Sequence, residues 1–388
     1  MGEWQKVKLG DVCEISSGKA SKYTKDQSGM FKVYGSNGVI GSYNEANFYR
    51  GYLVGRVGAV GSIQKITEPV WASDNTLTLV INEDLIDFDF MEHLLSTMTL
   101  ANYATKTAQP LLTQTTLKKI EVELPPLSEQ RKIAAILSSV DEAIEKTEAI
   151  IEQTEKVKKG LMQQLLTKGI GHTKFKKTEI GEIPEQWEIR KLNQVSTRIT
   201  EKNKGKTDRV LTISGLHGLV SQTEYFNKSV ASKNIDGYYY LRKGDFAYNK
   251  SYSDGYPLGA IKMLERYPDG VVSTLYICFR INENMCKDYF RYYFESNLWN
   301  SEVSAIAPEG GRSHGLLNVG VNDFFNIFIP IPPIEEQYKI SSIIRSVENK
   351  EKLELEKLEK LKTIKMGLMQ VLLTGKVRVK VEDEVMSQ

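Results

Sequence analysis

The sequence predicts an α+β protein in which two related globular mixed α/β units are joined and separated by two long helices. One observation is a helical stretch at residues 124–169 that returns, without a gap, at residues 331–376, an offset of 207 residues. Another is a segment beginning at Trp4 that returns at Trp187, with neighbouring matches at the same offset of 183 residues. Because internal repeats of this length define an architecture, the chain reads as unit, helix, unit, helix.

Each copy of the repeat has the pattern of one long helix. Pro125-Pro126 and Pro332-Pro333 precede the copies and cannot continue a strand ladder. Ser128 stands at the expected N-cap, and Glu129 places negative charge at the positive end of the helix dipole. Glycines at 169 and 375 supply stop signals. Apolar residues form a narrow coiled-coil seam: Ile133, Ile136, Leu137, Val140, Ile144, Ile151 and Val157, then Ile340, Ile343, Ile344, Val347, Leu355, Leu358, Leu361 and Ile364.

The length of the helices bears on how they pair. From Ser128 to Leu166 is 39 residues, which spans roughly 58 Å at ~1.5 Å per residue and exceeds the width of a small domain. If the second helix runs antiparallel to the first, the chain returns to its first unit and the molecule has a pseudo-two-fold axis. We therefore expect an antiparallel coiled coil whose apolar seam is mainly intramolecular core. The expected domains are residues 1–124, 125–170 (first helix), 171–330, 331–377 (second helix) and a tail at 378–388.

The two globular units repeat one order of short strands and glycine-rich turns. In the first, Gly-Ser-Asn-Gly at 35–38 indicates a hairpin, because Asn-Gly tolerates positive φ. Two strands broken by glycines follow at 50–66, and an alternating strand follows at 73–82. The second unit has counterparts at 242–264 and 273–282. Divergence confined to loops on a shared scaffold is typical of two binding sites with different specificities.

Composition limits the class of protein. The longest apolar runs are too short to span a membrane, and the first residues do not begin a signal peptide, so we expect a cytoplasmic protein. Three cysteines without CxxC spacing and four scattered histidines indicate neither a disulfide framework nor a metal site. The net charge of +2 is uninformative, because nucleic-acid binding needs a basic face rather than a basic total. Basic runs at 172–177 and 198–209 are either such faces or solvated loops.

The sequence carries no recognisable catalytic machinery. Gly18-Lys19 lacks the earlier glycine of a P-loop, and no GxGxxG opens a helix. No Asn/Asp-Pro-Pro-aromatic tetrapeptide of an amino-methyltransferase occurs. His93 and Cys278 lie in apolar patterns and are expected to pack in the core. We therefore expect the chain alone to be non-catalytic and to require no cofactor.

The repeated motifs resemble a known family. The helices open on PPLSEQ and PPIEEQ and close on GLMQQLLT and GLMQVLLT, each behind a Trp-started variable unit. This arrangement, over nearly the whole chain, resembles the specificity (S) subunit of type I restriction–modification enzymes. The resemblance implies that each unit is a target recognition domain reading half of a bipartite double-stranded DNA site. It also implies that the helices set the gap and dock two methyltransferase subunits, which use S-adenosylmethionine, and that restriction/translocase subunits join for cleavage.

Two other functions are compatible with the same sequence. A modification-only or orphan specificity subunit would have this organisation without a nuclease partner. A coiled-coil scaffold joining two protein-binding modules would also have two variable units and two helices. Salt-sensitive affinity for DNA distinguishes the scaffold from the specificity subunits, because phosphate contacts release counterions.

Candidate DNA-contacting residues are polar and basic side chains on glycine-flanked loops, which reach groove edges and phosphates. For Arg56 and Arg312 the alternative is a surface salt bridge, and for Asn37 it is a pure turn role. The candidates are Ser36, Asn37, Arg56, Asn75, Lys106 and Gln109 in the first unit, and His217, Lys250, Tyr252, Ser253, Arg312 and His314 in the second.

Two glycines inside the predicted helices are candidates for subunit docking. A glycine in a helix interior costs about 1 kcal/mol relative to alanine, so Gly160 and Gly367 call for a reason. One reason is the close approach of a partner helix or a local bend for docking, with Gln163 and Gln370 beside them; the alternative is a plain kink.

Overall fold

The computed structural model describes residues 3–20, 23, 29–215, 217–226, 234–251, 255–307 and 317–380. The chain divides into two compact units, which we call unit 1 (residues 1–149 and 355–388) and unit 2 (residues 150–354). The division falls inside the two long helices. Each unit therefore contains one globular part and a segment of both helices.

The globular part of unit 1 consists of short strands and short helices, as the alternating segments and glycine turns predict. Its main sheet has the strand order β2-β8-β5-β6, a second sheet has the order β4-β3-β7, and β1 pairs with β9. The strands are β1 Gln5–Lys8, β2 Cys13–Ser17, β3 Phe31–Gly35, β4 Gly38–Tyr43, β5 Gly51–Gly55, β6 Ile63–Ile66, β7 Trp71–Ala72, β8 Thr76–Ile81 and β9 Glu121–Leu124. The helices are α1 Leu9–Val12, α2 Phe88–Thr97, a 3-10 turn at Leu100–Tyr103, and α3 Gln114–Lys118.

Unit 2 repeats this plan with a more aromatic core. Its main sheet, β13-β20-β17-β18, has the strand order of the unit 1 sheet, which confirms the duplication. The strands are β10 Phe175–Thr178, β11 Gly181–Pro184, β12 Glu188–Lys191, β13 Ser196–Arg198, β14 Leu211–Ser214, β15 Gly218–Ser221, β16 Tyr239–Arg242, β17 Phe246–Asn249, β18 Ala260–Met263, β19 Asp269–Val272, β20 Ile277–Ile281 and β21 Phe328–Ile331. The long helices are α4 Leu127–Lys168 and α10 Ile334–Leu372; the shorter ones are α5 Leu192–Val195, α6 Gln222–Phe226, α7 Lys287–Glu295, α8 Asn300–Ile306 and α9 Val321–Phe325.

The long helices begin earlier than the sequence indicated. The Pro126 carbonyl accepts hydrogen bonds from the N–H groups of Glu129 and Gln130, at 2.9 and 3.0 Å. Ser128 is therefore inside the helix, and its assignment as the N-cap is wrong. The reason is that proline lacks an N–H but keeps its carbonyl, so it can start a helix without losing a bond. At the other ends, Gly169 and Gly375 adopt φ of +64° and +68°, which is the expected left-handed stop.

Within each unit the two long helices run antiparallel, as predicted. In unit 1, Asp141 pairs with Lys365 at 2.5 Å, and seven residues later Glu148 pairs with Lys362 at 3.1 Å. In unit 2, Lys158 pairs with Glu351 at 2.5 Å, and the chain just past the end of α4 meets the start of α10 at Glu336. In both units the numbering rises along α4 as it falls along α10.

The apolar seam is only partly buried. Ile133 and Leu137 in unit 1, and Ile340 and Ile344 in unit 2, are fully buried against the globular cores. However, the seam residues Val157, Leu355 and Ile364 are 42%, 45% and 50% exposed. The expectation that the seam is mainly intramolecular core is therefore wrong for these positions, because a two-helix pair covers only one side of each helix.

The repeated Glu-Gln pair at each helix start attaches the helix to its unit. The Gln130 side chain accepts the Asp87 N–H at 2.8 Å and donates to the Leu85 and Pro125 carbonyls. Gln337 accepts the Cys286 N–H at 3.0 Å and donates to the Pro332 carbonyl at 2.9 Å. Both glutamines are buried, so these bonds satisfy groups that water cannot reach.

The preceding glutamate holds the chain beyond the end of the other helix. Glu129 accepts two hydrogen bonds from Arg378, at 2.8 and 2.6 Å, and these bonds hold the pKa of Glu129 below its usual value. Glu336 accepts from the His172 ring at 2.9 Å and from the Trp187 indole at 2.9 Å. The repeated motif thus provides the same attachment in both units, with arginine in one and histidine with tryptophan in the other.

Candidate nucleic-acid interface

The first group of candidates in unit 1 lies at the turn between β3 and β4. Gly35 pairs with Gly38, so Ser36 and Asn37 form a two-residue turn. The positive φ of +104° falls on Gly38 rather than on Asn37. The Ser36 carbonyl accepts hydrogen bonds from the Ser62 hydroxyl and from the Gln64 side chain. The turn is therefore tied to the glycine loop between β5 and β6, while the Asn37 side chain remains exposed.

Arg56 lies where three loops of unit 1 meet. Its N–H donates to the Asn75 carbonyl at 2.9 Å, and its carbonyl accepts the Leu112 N–H at 3.0 Å. The first bond joins the glycine loop to the turn before β8, and the second joins it to the segment before α3. Gly61 also lets this glycine loop lie close to the 3-10 turn that contains Ala101, because a Cβ at Gly61 would lie 2.8 Å from the Ala101 nitrogen.

Lys106 and Gln109 lie on the loop that leads to Leu112. This loop is closed by two hydrogen bonds between Thr105 and Leu111, at 2.9 and 3.0 Å. Both candidate side chains are exposed. The structure thus brings the six unit 1 candidates onto adjoining loops, although they span residues 36 to 109 of the sequence.

The electrostatics of Arg56 differ from those of a surface salt bridge. Among the described residues, no carboxylate lies within ion-pair distance of its guanidinium, and its buried Nε has no hydrogen-bond partner. The salt-bridge alternative therefore has no partner in that part of the chain. A cation at a loop junction with no counter-charge in the described chain is suited to an anionic or acceptor-rich ligand.

Two further side chains of unit 1 join this surface although the sequence did not single them out as contacts. Lys19 is exposed beside the turn before β8, since its backbone pairs with Ala72 and accepts the Trp71 indole N–H at 2.8 Å. Gly18 permits this contact, because a Cβ would lie 2.0 Å from the Ser73 oxygen. Tyr103 is 47% exposed just before the Lys106 loop.

In unit 2 the structure describes two of the six candidates. His217 is exposed in the turn between β14 and β15, with its N–H bonded to the Ser214 hydroxyl at 3.2 Å. Lys250 follows β17; its carbonyl accepts the Leu317 N–H at 3.0 Å, and its ammonium lies 3.4 Å from the Val319 carbonyl. The other four, Tyr252, Ser253, Arg312 and His314, lie outside the described residues.

Tyr256 connects the two described candidate loops of unit 2. Its hydroxyl donates to the Gly215 carbonyl at 2.8 Å, and its ring packs so closely that a Cβ at Gly215 would lie 2.4 Å from it. The hairpin that carries His217 is thereby joined to the loop that follows Lys250. This tyrosine is a positioning residue that sequence reasoning missed, because the two loops are far apart in the sequence.

The docking candidates form a repeated exposed stripe on the two long helices, here called the glycine stripe. It consists of Val157, Gly160 and Gln163 on α4, and of Ile364, Gly367 and Gln370 on α10. Both helices continue as regular α-helix through the glycines, so no break accompanies them. A Cβ at either glycine would meet no atom within 4 Å in the described chain. Nothing in that part of the chain therefore requires glycine there.

The residues excluded as catalytic groups are packed, as expected. His93 is buried, with its ring 3.3 Å from the Ser138 hydroxyl, and burial lowers its pKa. Cys278 is buried in β20, and burial raises the pKa of its thiol. Within the described ranges, no group of His, Cys, Asp or Glu side chains could hold a metal ion. Among the helices of the same ranges, none combines the length and apolar character needed to cross a membrane.

Comparison with known proteins relates the chain to one family. A family model described as type I restriction modification DNA specificity domain matches residues 1–156 and 175–366. The type I restriction enzyme MjaVIII specificity subunit of Methanocaldococcus jannaschii is 31% identical over 289 residues, which cover 71% of this chain and 66% of that protein, just under two thirds of its length. The putative MjaX specificity subunit of the same organism is 29% identical over 331 residues, or 79% and 72% of the two chains.

Solved structures share the fold. The S subunit of a type I restriction–modification system from M. genitalium superposes with a TM-score of 0.62 at 16% identity, covering 98% of this chain and 97% of that one. A chain from a study of complex assembly and conformational transition of the type I system gives a TM-score of 0.54 at 15% identity, covering 97% and 99%. At such identities the likeness concerns the fold alone.

Proposed function

This chain belongs to the type I restriction–modification DNA specificity family, and from that premise we propose that each of its two units reads one half of a bipartite double-stranded DNA site. The observation that carries the proposal is a junction of loops that recurs after equivalent strands, after β5 in unit 1 and after β17 in unit 2. In both units a cation lies at this junction, Arg56 in one and Lys250 in the other, and no described carboxylate pairs with either.

The side chains at these junctions suit the two kinds of contact that DNA recognition needs. Exposed lysines such as Lys19 and Lys106 can reach phosphates, which supply affinity without sequence preference. Asn37, Gln109 and His217 carry donors and acceptors that can reach base edges. Tyr252, Ser253, Arg312 and His314 belong to the same proposal through their sequence positions.

The long helices complete the proposal as the assembly surface. We assign residues 1–124 and 171–330 to target recognition, residues 125–170 and 331–377 to the two helices, and residues 378–388 to a tail. Two copies of the glycine stripe suit two methyltransferase subunits, through which restriction subunits would join. In this scheme the chain selects the sequence, and its partners supply the chemistry.

Substitutions at the two stripe glycines test the stability of the helices and the docking of the methyltransferase separately. Gly160→Ala and Gly367→Ala should each raise the free energy of unfolding of the isolated chain by about 1 kcal/mol, because the new Cβ meets nothing and alanine favours the helix. Gly160→Leu should leave the fold intact but weaken methyltransferase association about tenfold, because it overfills a close contact. Thermal unfolding and titration calorimetry measure the two effects. Lys159→Leu, one residue along the helix, is the matched control, and unchanged association of Gly160→Leu would contradict the docking assignment.

Methylome sequencing tests the proposed function directly. Cells expressing this chain with its cognate methyltransferase should acquire a split motif with methylated adenine in both halves. Exchanging residues 1–124 for the corresponding unit of a relative should change one half of the motif and leave the other half unchanged. A stable complex that adds no methylation and shows no salt-sensitive DNA affinity would instead favour the protein scaffold.

A further inference from the structure

The main sheets of the two units can be aligned residue by residue from their hydrogen bonds. In unit 1, the N–H of Asn82, after β8, donates to the Val12 carbonyl; in unit 2, that of Asn282, after β20, donates to the Val195 carbonyl, and both distances are 3.0 Å. From these fixed points, the ladders of β8 with β5 and of β20 with β17 run in the same register. The alignment therefore rests on backbone geometry, which loop divergence does not affect.

This alignment makes Arg56 and Lys250 the same position. Val54 and Tyr248 occupy equivalent places in β5 and β17, and each cation follows two residues later. A second bond supports the equivalence: the Arg56 carbonyl accepts the Leu112 N–H, and the Lys250 carbonyl accepts the Leu317 N–H, both at 3.0 Å. The two loops differ in length and sequence, so this match was not visible in the repeat of the sequence.

Both cations keep hydrogen-bonding capacity. Arginine has five N–H donors and a lysine ammonium has three. Arg56 has no side-chain partner in the described ranges, and Lys250 makes one long contact of 3.4 Å, to the Val319 carbonyl. Neither faces a carboxylate of the described chain. Both side chains are half-buried at the loop junction, whereas Lys19 and Lys106 are exposed.

Their placement favours a base over a phosphate. The main chain of each cation is fixed by the leucine N–H, and that of Arg56 also by the Asn75 carbonyl, so each side chain starts from a rigid point. Beside Arg56, the exposed Lys19 and Lys106 are better placed for the outer phosphates. Arginine and lysine both match the O6 and N7 acceptors that guanine presents in the major groove, which is the commonest specific contact of either residue.

We infer that Arg56 and Lys250 are equivalent specificity-determining residues, each reading a guanine in the half-site of its own unit. This inference rests on the proposed function and adds to it which residue reads which base. Arg56 would donate two N–H groups to O6 and N7, and Lys250 would donate from its ammonium to the same acceptors.

A double-mutant cycle, which combines a side-chain substitution with the removal of one base atom, tests the assignment. The complex of the full chain with its methyltransferase subunits is assayed on the duplex found by methylome sequencing, with single guanines replaced by 7-deazaguanine, which lacks the N7 acceptor. One such replacement in the first half-site should weaken wild-type binding about tenfold and leave binding by Arg56→Ala unchanged. Lys250→Ala should show the same behaviour for one guanine of the other half-site. Lys119→Ala and Lys243→Ala, exposed lysines elsewhere in the two units, should respond to every duplex as the wild type does.

The other outcomes overturn the assignment in distinguishable ways. If Arg56→Ala weakens all duplexes equally and lowers the salt dependence by one phosphate contact, the residue binds the backbone. If Arg56→Ala and wild type lose the same factor on every 7-deazaguanine, the residue reads no guanine N7. A wild-type complex without DNA affinity would overturn the proposed function itself, and the assignment with it. Arg56→Lys, which keeps a donor, should retain the guanine preference that Arg56→Ala loses.

Discussion

Trp187→Ala should destabilise unit 2 by about 4 kcal/mol, in the range for deleting a fully buried tryptophan. The indole is fully buried in the core of unit 2, and its N–H donates to Glu336 at 2.9 Å. Removing it creates a cavity and deprives a largely buried carboxylate of a donor, so two costs add. Chemical denaturation followed by circular dichroism measures the loss, and hydrogen exchange should locate it in unit 2, residues 150–354.

Trp4→Ala is the matched control, because Trp4 occupies the corresponding place in unit 1. It is only half-buried, and its indole N–H makes no hydrogen bond of good geometry among the described residues, although it lies close enough to Glu129 to help lower the pKa of that carboxyl. In unit 1, Arg378 donates the hydrogen bonds that hold Glu129, the counterpart of Glu336. We expect a loss of about 1 to 2 kcal/mol, mainly from reduced burial. Equal losses for the two tryptophans would contradict the different roles assigned to them.

Arg291→Met should destabilise unit 2 by about 3 kcal/mol, the low end of the range for breaking a buried ion pair. The Arg291 side chain is 9% exposed and makes two hydrogen bonds to Glu348 on α10, at 3.1 and 2.5 Å. Methionine keeps much of the volume, so the loss reports the charge left behind rather than a cavity. The low end applies because a third of the Glu348 side chain is exposed. Urea denaturation of the full chain measures it.

The pH dependence of that loss has a defined sign. Burial would raise the pKa of Glu348, but the hydrogen bonds and charge of Arg291 outweigh it and hold the pKa below the ordinary 4.5. A carboxylate with a lowered pKa stabilises the fold above its unfolded value and loses that contribution as pH falls through its folded value. The difference between wild type and Arg291→Met should therefore be largest near neutral pH and shrink as pH falls. The decline should begin above 4.5, because Arg291 also pairs with Glu265 at 3.5 Å and burial raises the pKa of that carboxyl. A difference independent of pH would mean that packing, not charge, is lost.

Arg345→Met is the control for the ion pair. Arg345 also joins α10 to α7, through Asp288, but the two side chains are 50% and 32% exposed. Water and salt screen such a pair, so we expect a loss below about 1 kcal/mol. A loss as large as that of Arg291→Met would show that contact between the two helices, rather than burial of the charge, determines the cost.

Much of the architecture was predictable because it depends on short-range patterns. The two long helices, their glycine ends and the duplicated strand order follow from repeats that can be counted along the chain. Prediction was less accurate where local rules compete. Ser128 has an N-cap side chain, yet the helix begins at Leu127, because the Pro126 carbonyl already accepts the first helical bonds. Val157 and Ile364 fit an apolar seam, yet they face outward, because a pair of helices buries one side only.

The repeated Glu-Gln pair is a motif whose structural role the sequence did not indicate. Its recurrence at 129–130 and 336–337 was evident from the sequence, but its role was not. Gln130 reaches Asp87 and Glu129 reaches Arg378, 43 and 249 residues away along the chain. No local pattern indicates partners at such separations. Trp4 and Trp187 likewise align as equals, yet of these two only Trp187 makes a hydrogen bond of good geometry from its indole, at 2.9 Å to Glu336.

By itself, the sequence determined the duplication, the two long helices and the family, because each of these is carried by residues close together in a repeated pattern. Only the tertiary structure decided which loops meet and which cations have no counter-charge among the residues that the structure describes. Arg56 meets Leu112, and Lys250 meets Leu317, through single backbone hydrogen bonds between distant segments. Such contacts form when the sheets and helices pack, and the loops that they join vary in length and composition. For that reason the equivalence of Arg56 and Lys250 emerged from strand register rather than from alignment of the two halves.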